Sequence, residues 1–403
     1  MFQDLIFTCD VSNLKNNLPR LLCLYNSKLV IGKQILNQNK NELTYELRER
    51  SIDLSSFTTT ISWIFQEKAI LGFKVSYYCY VQNAQKSLNY LGAADKMKQL
   101  KKLLDGQALY TDFNKDYLFT SCLVQKEDLE ISKYLQVETG EIKLIKKVKI
   151  KINQQLKLQQ EIKIVLALNY QRHKNILEID EIYKEQEEVI FIMKYCRGGT
   201  LYNYLMKRNY QLEQTEIKLI MKKLLKGVKH MHKLGIIHRD LKLDNVVFEQ
   251  ENNIKSIKII DFGFAVELGY QNLVRCGTPG YMAPEILNQE DYNELVDIYS
   301  LGSIFHSLLS GQKLYSEYQD KDHLILLNKL NKFRVSTKII NTEQRQLLLL
   351  MIGHKKHRPS ASFCLNHQFF KKKCEISHPI ENQVKQLCFP NLKNPFRKQS
   401  LIG

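Results

Sequence analysis

The chain lacks any apolar run approaching the roughly 18 residues that a membrane-spanning helix needs. Its opening, MFQDLIFTCDVSNL, places no basic residue ahead of its apolar ones, so a secretory leader is not expected. No C-x-x-C pair occurs among the nine cysteines (Cys9, Cys23, Cys79, Cys122, Cys196, Cys276, Cys364, Cys374 and Cys388). An odd, dispersed set fits reduced thiols and a cytoplasmic setting. There is no internal repeat and no low-complexity tract, which excludes solenoids and arrays. What is present is ordinary for a folded protein: 403 residues, 44% hydrophobic and 25% charged. That length suggests about two to four domains, and that composition excludes wholesale disorder.

The net charge is +17, but the excess is spread along the chain rather than gathered in one stripe. Nucleic acid is therefore not an expected partner. Acidic membrane or protein surfaces fit the charge better, and a Lys- and Asn-rich composition habit explains it most simply.

Hydrophobic patterning divides the chain. RLLCLYNSKLVIGK alternates around an Asn-Ser turn, and ELTYELRE, GFKVSYYCYV and SLNYLG read as further strands. From Ala93 to Leu104 the apolar residues Met97, Leu100, Leu103 and Leu104 take helical spacing, with Gly106 as a stop. Antiparallel strands closed by one helix over residues 1–107 resemble a pleckstrin-homology domain. Leu100 stands where that family usually places a tryptophan, and Lys15 and Arg20 are the basic residues of the first hairpin loop. From about Asp112 short strands run to Cys196 and helices dominate afterwards. Between Thr215 and His232, the stripe Ile217, Ile220, Met221, Leu224, Val228 and Met231 must face a core. Residues 371–403, with little periodicity and a basic balance, read as a tail.

The informative run is His238-Arg239-Asp240-Leu241-Lys242-Leu243-Asp244-Asn245. It is followed by Asp261-Phe262-Gly263 and then by Gly277-Thr278-Pro279-Gly280-Tyr281-Met282-Ala283-Pro284-Glu285. In this order and spacing, residues 113–370 resemble a eukaryotic-type Ser/Thr protein kinase domain, closest in flavour to the calcium/calmodulin-dependent kinases. The resemblance implies an α+β, bilobal fold with a β-rich N-lobe and a helical C-lobe, here preceded by a small β-barrel or sandwich capped by one helix. It also implies ATP, Mg²⁺ and protein substrates. Phosphoryl transfer passes through a loose transition state, so positioning and charge neutralisation dominate. The resemblance gives Asp240 the role of accepting the hydroxyl proton and Lys242 that of offsetting phosphoryl charge, and makes Asn245 and Asp261 oxygen ligands for metal.

Upstream, TGEIKLIK makes Lys146 the phosphate-binding lysine, with Lys143, Lys147 and Lys149 as rivals; alternation puts Lys147 on the opposite face. Glu161 is the expected partner on the following helix. VIFIMKYCRGG resembles the strand and hinge behind adenine, with Met193 as gatekeeper, Lys194 and Cys196 in the hinge, and Ile131 beside the nucleotide. By the same resemblance Arg358 pairs with Glu285, Asp297 holds the catalytic loop, and Thr278 steadies it.

Three departures stand out. The glycine positions of the phosphate loop fall on Val124, Lys126 and Leu129, and Glu127 and Asp128 are expected to bring negative charge toward the nucleotide. Leu144 replaces a small residue that roofs adenine. No Ser or Thr lies between Gly263 and Cys276, and Val274 occupies the usual phosphothreonine position. Arg239 is left with Glu267 or a phosphorylated Tyr270 as expected partners, and activity is expected without Ser/Thr phosphorylation of this segment. Asp244 points to basic substrates while Thr200 argues against strong selectivity. RKQS at 397–400 suits a basophilic kinase acting in cis. The alternatives are a pseudokinase scaffold with weakened nucleotide binding and a membrane-surface adaptor working through residues 1–107.

Overall fold

The computed structural model describes residues 5–15, 18–25, 27–37, 42–67, 69–113, 116–269, 275–315 and 320–371, with side chains of 34–50 left aside. Tyr270, Val274 and the tail from 372, including RKQS, lie outside the described residues. The chain forms two compact units. Met1–Thr200 with Asn245–Glu267 makes one, and Leu201–Asp244 with the described residues from Leu268 onward makes the other.

The first unit is built on one sheet. Its amino-terminal strands are β1 (Leu5–Asn13), β2 (Pro19–Tyr25), β3 (Lys28–Asn37), β4 (Glu42–Asp53), β5 (Thr60–Gln66), β6 (Ala69–Cys79) and β7 (Ala84–Gly92). Helix α1 (Ala94–Leu104) follows, then β8 (Leu109–Tyr110), β9 (Tyr117–Gln125), β10 (Leu129–Gln136) and β11 (Ile142–Lys149). Helix α2 (Gln155–Tyr170) precedes β12 (Ile179–Lys184) and β13 (Glu188–Lys194). The strand order is β4-β3-β2-β1-β7-β6-β5-β8-β12-β13-β11-β10-β9. All pairings are antiparallel except those of β8, which lies parallel to β5 through Ile61↔Tyr110 and to β12 through Tyr183↔Tyr110.

Alternation explains the strands. In β6, Phe73 and Val75 are fully buried while Lys74 between them is exposed. Helix α1 buries Met97, Leu100 and Leu104, but Leu103 faces outward at 39% exposure, so the apolar stripe is narrower than the sequence pattern suggests. The core runs without interruption from Leu22, Phe73 and Leu100 into Tyr110, Tyr134 and Ile190. Trp63, on a strand that the sequence patterning did not single out, packs edge-on against Tyr110.

The second unit is helical: α3 (Leu201–Lys207), α4 (Gln214–Lys233), α5 (Pro284–Leu287), α6 (Leu295–Ser310), α7 (Lys321–Lys329), α8 (Thr342–Met351), α9 (Ala361–Leu365) and α10 (Gln368–Lys371). A capping box between Glu213 and Glu216 starts α4. Its predicted stripe, from Ile217 to Met231, is buried. Helix α6 ends on Gly311 at φ +73°, where an added Cβ would sit 2.7 Å from the Tyr210 carbonyl oxygen.

Candidate active site

In the first unit, alternation along β11 decides between the lysines. Lys146 points to the face where its Nζ lies 2.7 Å from Glu161 Oε1 of α2 and 3.2 Å from Asp261 Oδ1. Lys147 takes the other face, above the rings of Phe113 and Tyr134, and Lys143 pairs with Asp180 at 2.9 Å. Burial by itself would pull the Lys146 pKa down, but the carboxylates of Glu161 and Asp261 outweigh it and hold the ammonium form above the ordinary lysine range. Glu161 is 7% exposed, and a buried carboxylate persists only with such a partner.

A short hairpin, Val246–Phe248 paired with Ile257–Ile259, brings Asn245 and Asp261 to its open end. The ladder extends one step through the Ile260 amide, which donates to the Asn245 carbonyl at 3.0 Å. Asp261 sits at φ +65°, and this left-handed backbone turns its carboxylate back toward Lys146.

The other predicted residues of this unit lie on the sheet. Met193, 9% exposed at the end of β13, is opposite Leu144 of β11. Ile131 pairs in register with Lys146. Lys194 sends its ammonium 2.6 Å from Glu249, and burial pushes the Cys196 thiol up to about 11, so Cys196 stays protonated at neutral pH.

The second unit arranges a separate cluster. Asp240 Oδ1 accepts from the Thr278 hydroxyl at 2.7 Å, and Lys242 Nζ lies 2.9 Å from both Asp240 Oδ2 and Thr278 Oγ1. The loop carrying Asp240 hangs from Asp297 of α6. Asp297 Oδ2 accepts the His238 amide and Oδ1 the Arg239 amide, each at 2.9 Å. His232 Nε2 lies 3.0 Å from Oδ2. Burial alone would raise the Asp297 pKa, but these bonds and the nearby imidazoles hold it below the usual carboxylate value. No short-range sequence signal marked His232 as a partner. Arg358 forks onto Glu285 at 2.5 and 3.2 Å.

Against this geometry stand the comparisons. The protein kinase domain model matches residues 130–370, more than half of the chain. The chain belongs to the protein kinase family. It is 35% identical over 217 residues to a probable serine/threonine-protein kinase 2 of Plasmodium falciparum, covering 52% of this chain and 42% of that one. It is 31% identical over 244 residues to the serine/threonine-protein kinase polo of Drosophila melanogaster, covering 59% and 41%. With calcium/calmodulin-dependent protein kinase type 1 of Caenorhabditis briggsae it shares 30% over 257 residues, covering 61% and 70%. The chain thus spans under half of the first two relatives. The autoinhibited serine kinase domain of the giant muscle protein titin superposes with a TM-score of 0.56 at 22% identity, over 65% of this chain and 82% of that one, which shows the shared fold.

Two departures of this kinase domain are resolved by local geometry. Residues 126–128 close the β9–β10 hairpin, with the Lys126 amide donating to the Leu129 carbonyl at 2.8 Å. The two acids of this turn share one ammonium. Lys151 contacts Glu127 at 3.1 Å and also Asp128, and the Asp128 carbonyl accepts from the Lys149 amide. Within the second unit the Arg239 guanidinium donates to the Tyr292 hydroxyl at 2.7 Å, and within the first Glu267 pairs with Lys163 at 2.6 Å.

Proposed function

We propose that the chain transfers the γ-phosphoryl group of ATP to Ser or Thr hydroxyls of protein substrates. The observation that carries this reading is Lys146 held between Glu161 and Asp261, since a buried ammonium so fixed is ready to meet phosphate oxygens. Asp240, with one oxygen fixed by Thr278, takes the hydroxyl proton, and Lys242 beside it offsets phosphoryl charge. Ile131 and Met193 enclose the adenine, with the backbone of Lys194 and Cys196 as its edge.

Asp261 and Asn245 offer only hard oxygen donors, and the Asp261 side chain is 42% exposed, which suits Mg²⁺. The metal, when bound, neutralises phosphate charge. The relatives, named as serine/threonine-protein kinases, support Ser/Thr specificity. A cytoplasmic setting is part of the same proposal, as is a pleckstrin-homology-like module over residues 1–107 ahead of the kinase domain at 113–370. Binding of that module to acidic membrane rests on the chain's positive charge alone.

The scaffold reading rests on the missing glycines and on Glu127 and Asp128, whose two carboxylates share the single ammonium of Lys151. ATP/Mg²⁺ thermal shift and phosphate transfer, measured on the wild type, Asp261→Asn and Asp240→Asn, separate the two. The proposal expects transfer that each substitution lowers by about 10²-fold or more. Nucleotide binding with no mutation-sensitive transfer would leave the scaffold.

A further inference from the structure

Helix α2 carries Glu161, and eight residues on, roughly 12 Å along the axis, it carries Asn169. Asn169 is 4% exposed although polar, and it uses its whole amide. Nδ2 donates to the Gly106 carbonyl at 2.7 Å and to the Ile179 carbonyl at 2.8 Å, while Oδ1 accepts the Ile179 amide at 3.1 Å. Two acceptors on one side and a donor on the other fix its orientation, because a flipped amide would set oxygen against two carbonyl oxygens. Gly106 belongs to the turn that leaves α1. It sits at φ +68°, and a Cβ there would lie 2.3 Å from the Ile179 oxygen and 2.4 Å from Asn169 Nδ2. Only glycine lets this turn approach the helix so closely.

A second set of bonds holds the same turn. Lys101 of α1 lies 2.5 Å from Glu181 of β12 and 2.9 Å from Asp105. Tyr117 and Tyr183 donate to the other Glu181 oxygen at 3.0 and 2.8 Å, and Tyr110 donates to Asp105 at 2.9 Å. Strand β8 then fills the position beside β12. The amino-terminal segment is therefore joined to α2 and β12 by a glycine contact, an amide with three bonds, a partly buried ion cluster and a shared strand.

We propose that residues 94–110 act as a built-in brace that holds α2 where Glu161 meets Lys146, with Asn169 and Gly106 as positioning residues for phosphoryl transfer. The consequence for turnover rests on the kinase activity proposed above. The geometric claim is independent of it.

The test compares the full-length wild type with Asn169→Ala, Asn169→Asp and Gly106→Ala. Hydrogen exchange is read for α2 against β13 of the same unit, alongside kcat and KM for a generic Ser/Thr peptide. The brace predicts that α2 exchange accelerates by about tenfold or more while β13 stays protected, and that kcat falls with little change in peptide KM. Asn169→Asp, which keeps the acceptor but loses both donors, falls with Asn169→Ala. Unchanged α2 exchange in all three folded variants would overturn the proposal, and so would equal acceleration of α2 and β13, which marks a general contribution to stability. If the wild type transfers no phosphate, the activity reading fails, while the exchange comparison still decides the brace.

Discussion

At the scale of single residues, the chemistry sits in short local runs and its support comes from afar. Thr278 is such a support: its hydroxyl bridges Asp240 and Lys242 within one unit. Replacing it by Val leaves an Asp240 oxygen without that donor, and transfer is expected to fall by about 10- to 100-fold, measured as kcat at unchanged melting temperature. Because this hydroxyl is already engaged, phosphatase treatment is expected to leave activity intact; loss of activity on removing phosphate from Thr278 would contradict this. His306 supplies one pH dependence. It is 2% exposed, its Nδ1 lies 3.0 Å from the Gln312 carbonyl, and its Nε2 accepts the Ser336 amide at 3.2 Å. Only a neutral ring with the proton on Nδ1 satisfies both. Burial accordingly lowers its pKa, so the unfolded chain binds the proton more readily than the native one. Stability is full above the ordinary histidine pKa of about 6.5 and declines as pH falls below it. The stability difference between wild type and His306→Gln, read by thermal unfolding between pH 7.5 and 5.5, is expected to show this decline, since Asp105 and His367 titrate alike in both proteins.

Elements show why some partners were legible and others were not. Lys146, Asp240, Asn245 and Asp261 could be placed because each lies in a run that resembles a protein-kinase motif. Alternation alone separated Lys146 from Lys147. The Lys151 contact with Glu127 and Asp128 was missed because a hairpin closed against the strand end is invisible to a reading that counts charges by position. Lys151→Glu is expected to strengthen the acidic field and raise the KM for ATP by about 2- to 10-fold; an unchanged KM would show that the hairpin charge does not reach the nucleotide. In the helical unit the fork between Arg358 and Glu285 ties α5 to the loop after α8. Both ends are buried, so Glu285→Ala leaves an unpaired guanidinium and is expected to cost about 3–5 kcal/mol in denaturant unfolding.

For the whole molecule, the change from strand-rich to helix-rich sequence among the described residues was readable, but the continuity of the amino-terminal strands with the rest of their sheet was not. Strand period and one helical stripe suggested a small β-rich module before residue 107, yet β8 is two residues long and offers no periodicity. Its role depends on Tyr183 and Ile61, which are far away in sequence. Gly106 looked like a helix stop and is also the contact point for α2. With one core running from Leu22 to Ile190, residues 5–110 and 117–194 are expected to lose hydrogen-exchange protection together in denaturant. Separate transitions would show two independent modules. The central claim concerns the chemistry, and the most direct measurement is γ-phosphate transfer by the full chain to a Ser/Thr peptide with ATP and Mg²⁺, beside Asp240→Asn at matched stability. The account predicts phosphoserine or phosphothreonine on the peptide, lost in the variant. Equal product from both proteins, or none from the wild type with nucleotide bound, would contradict it.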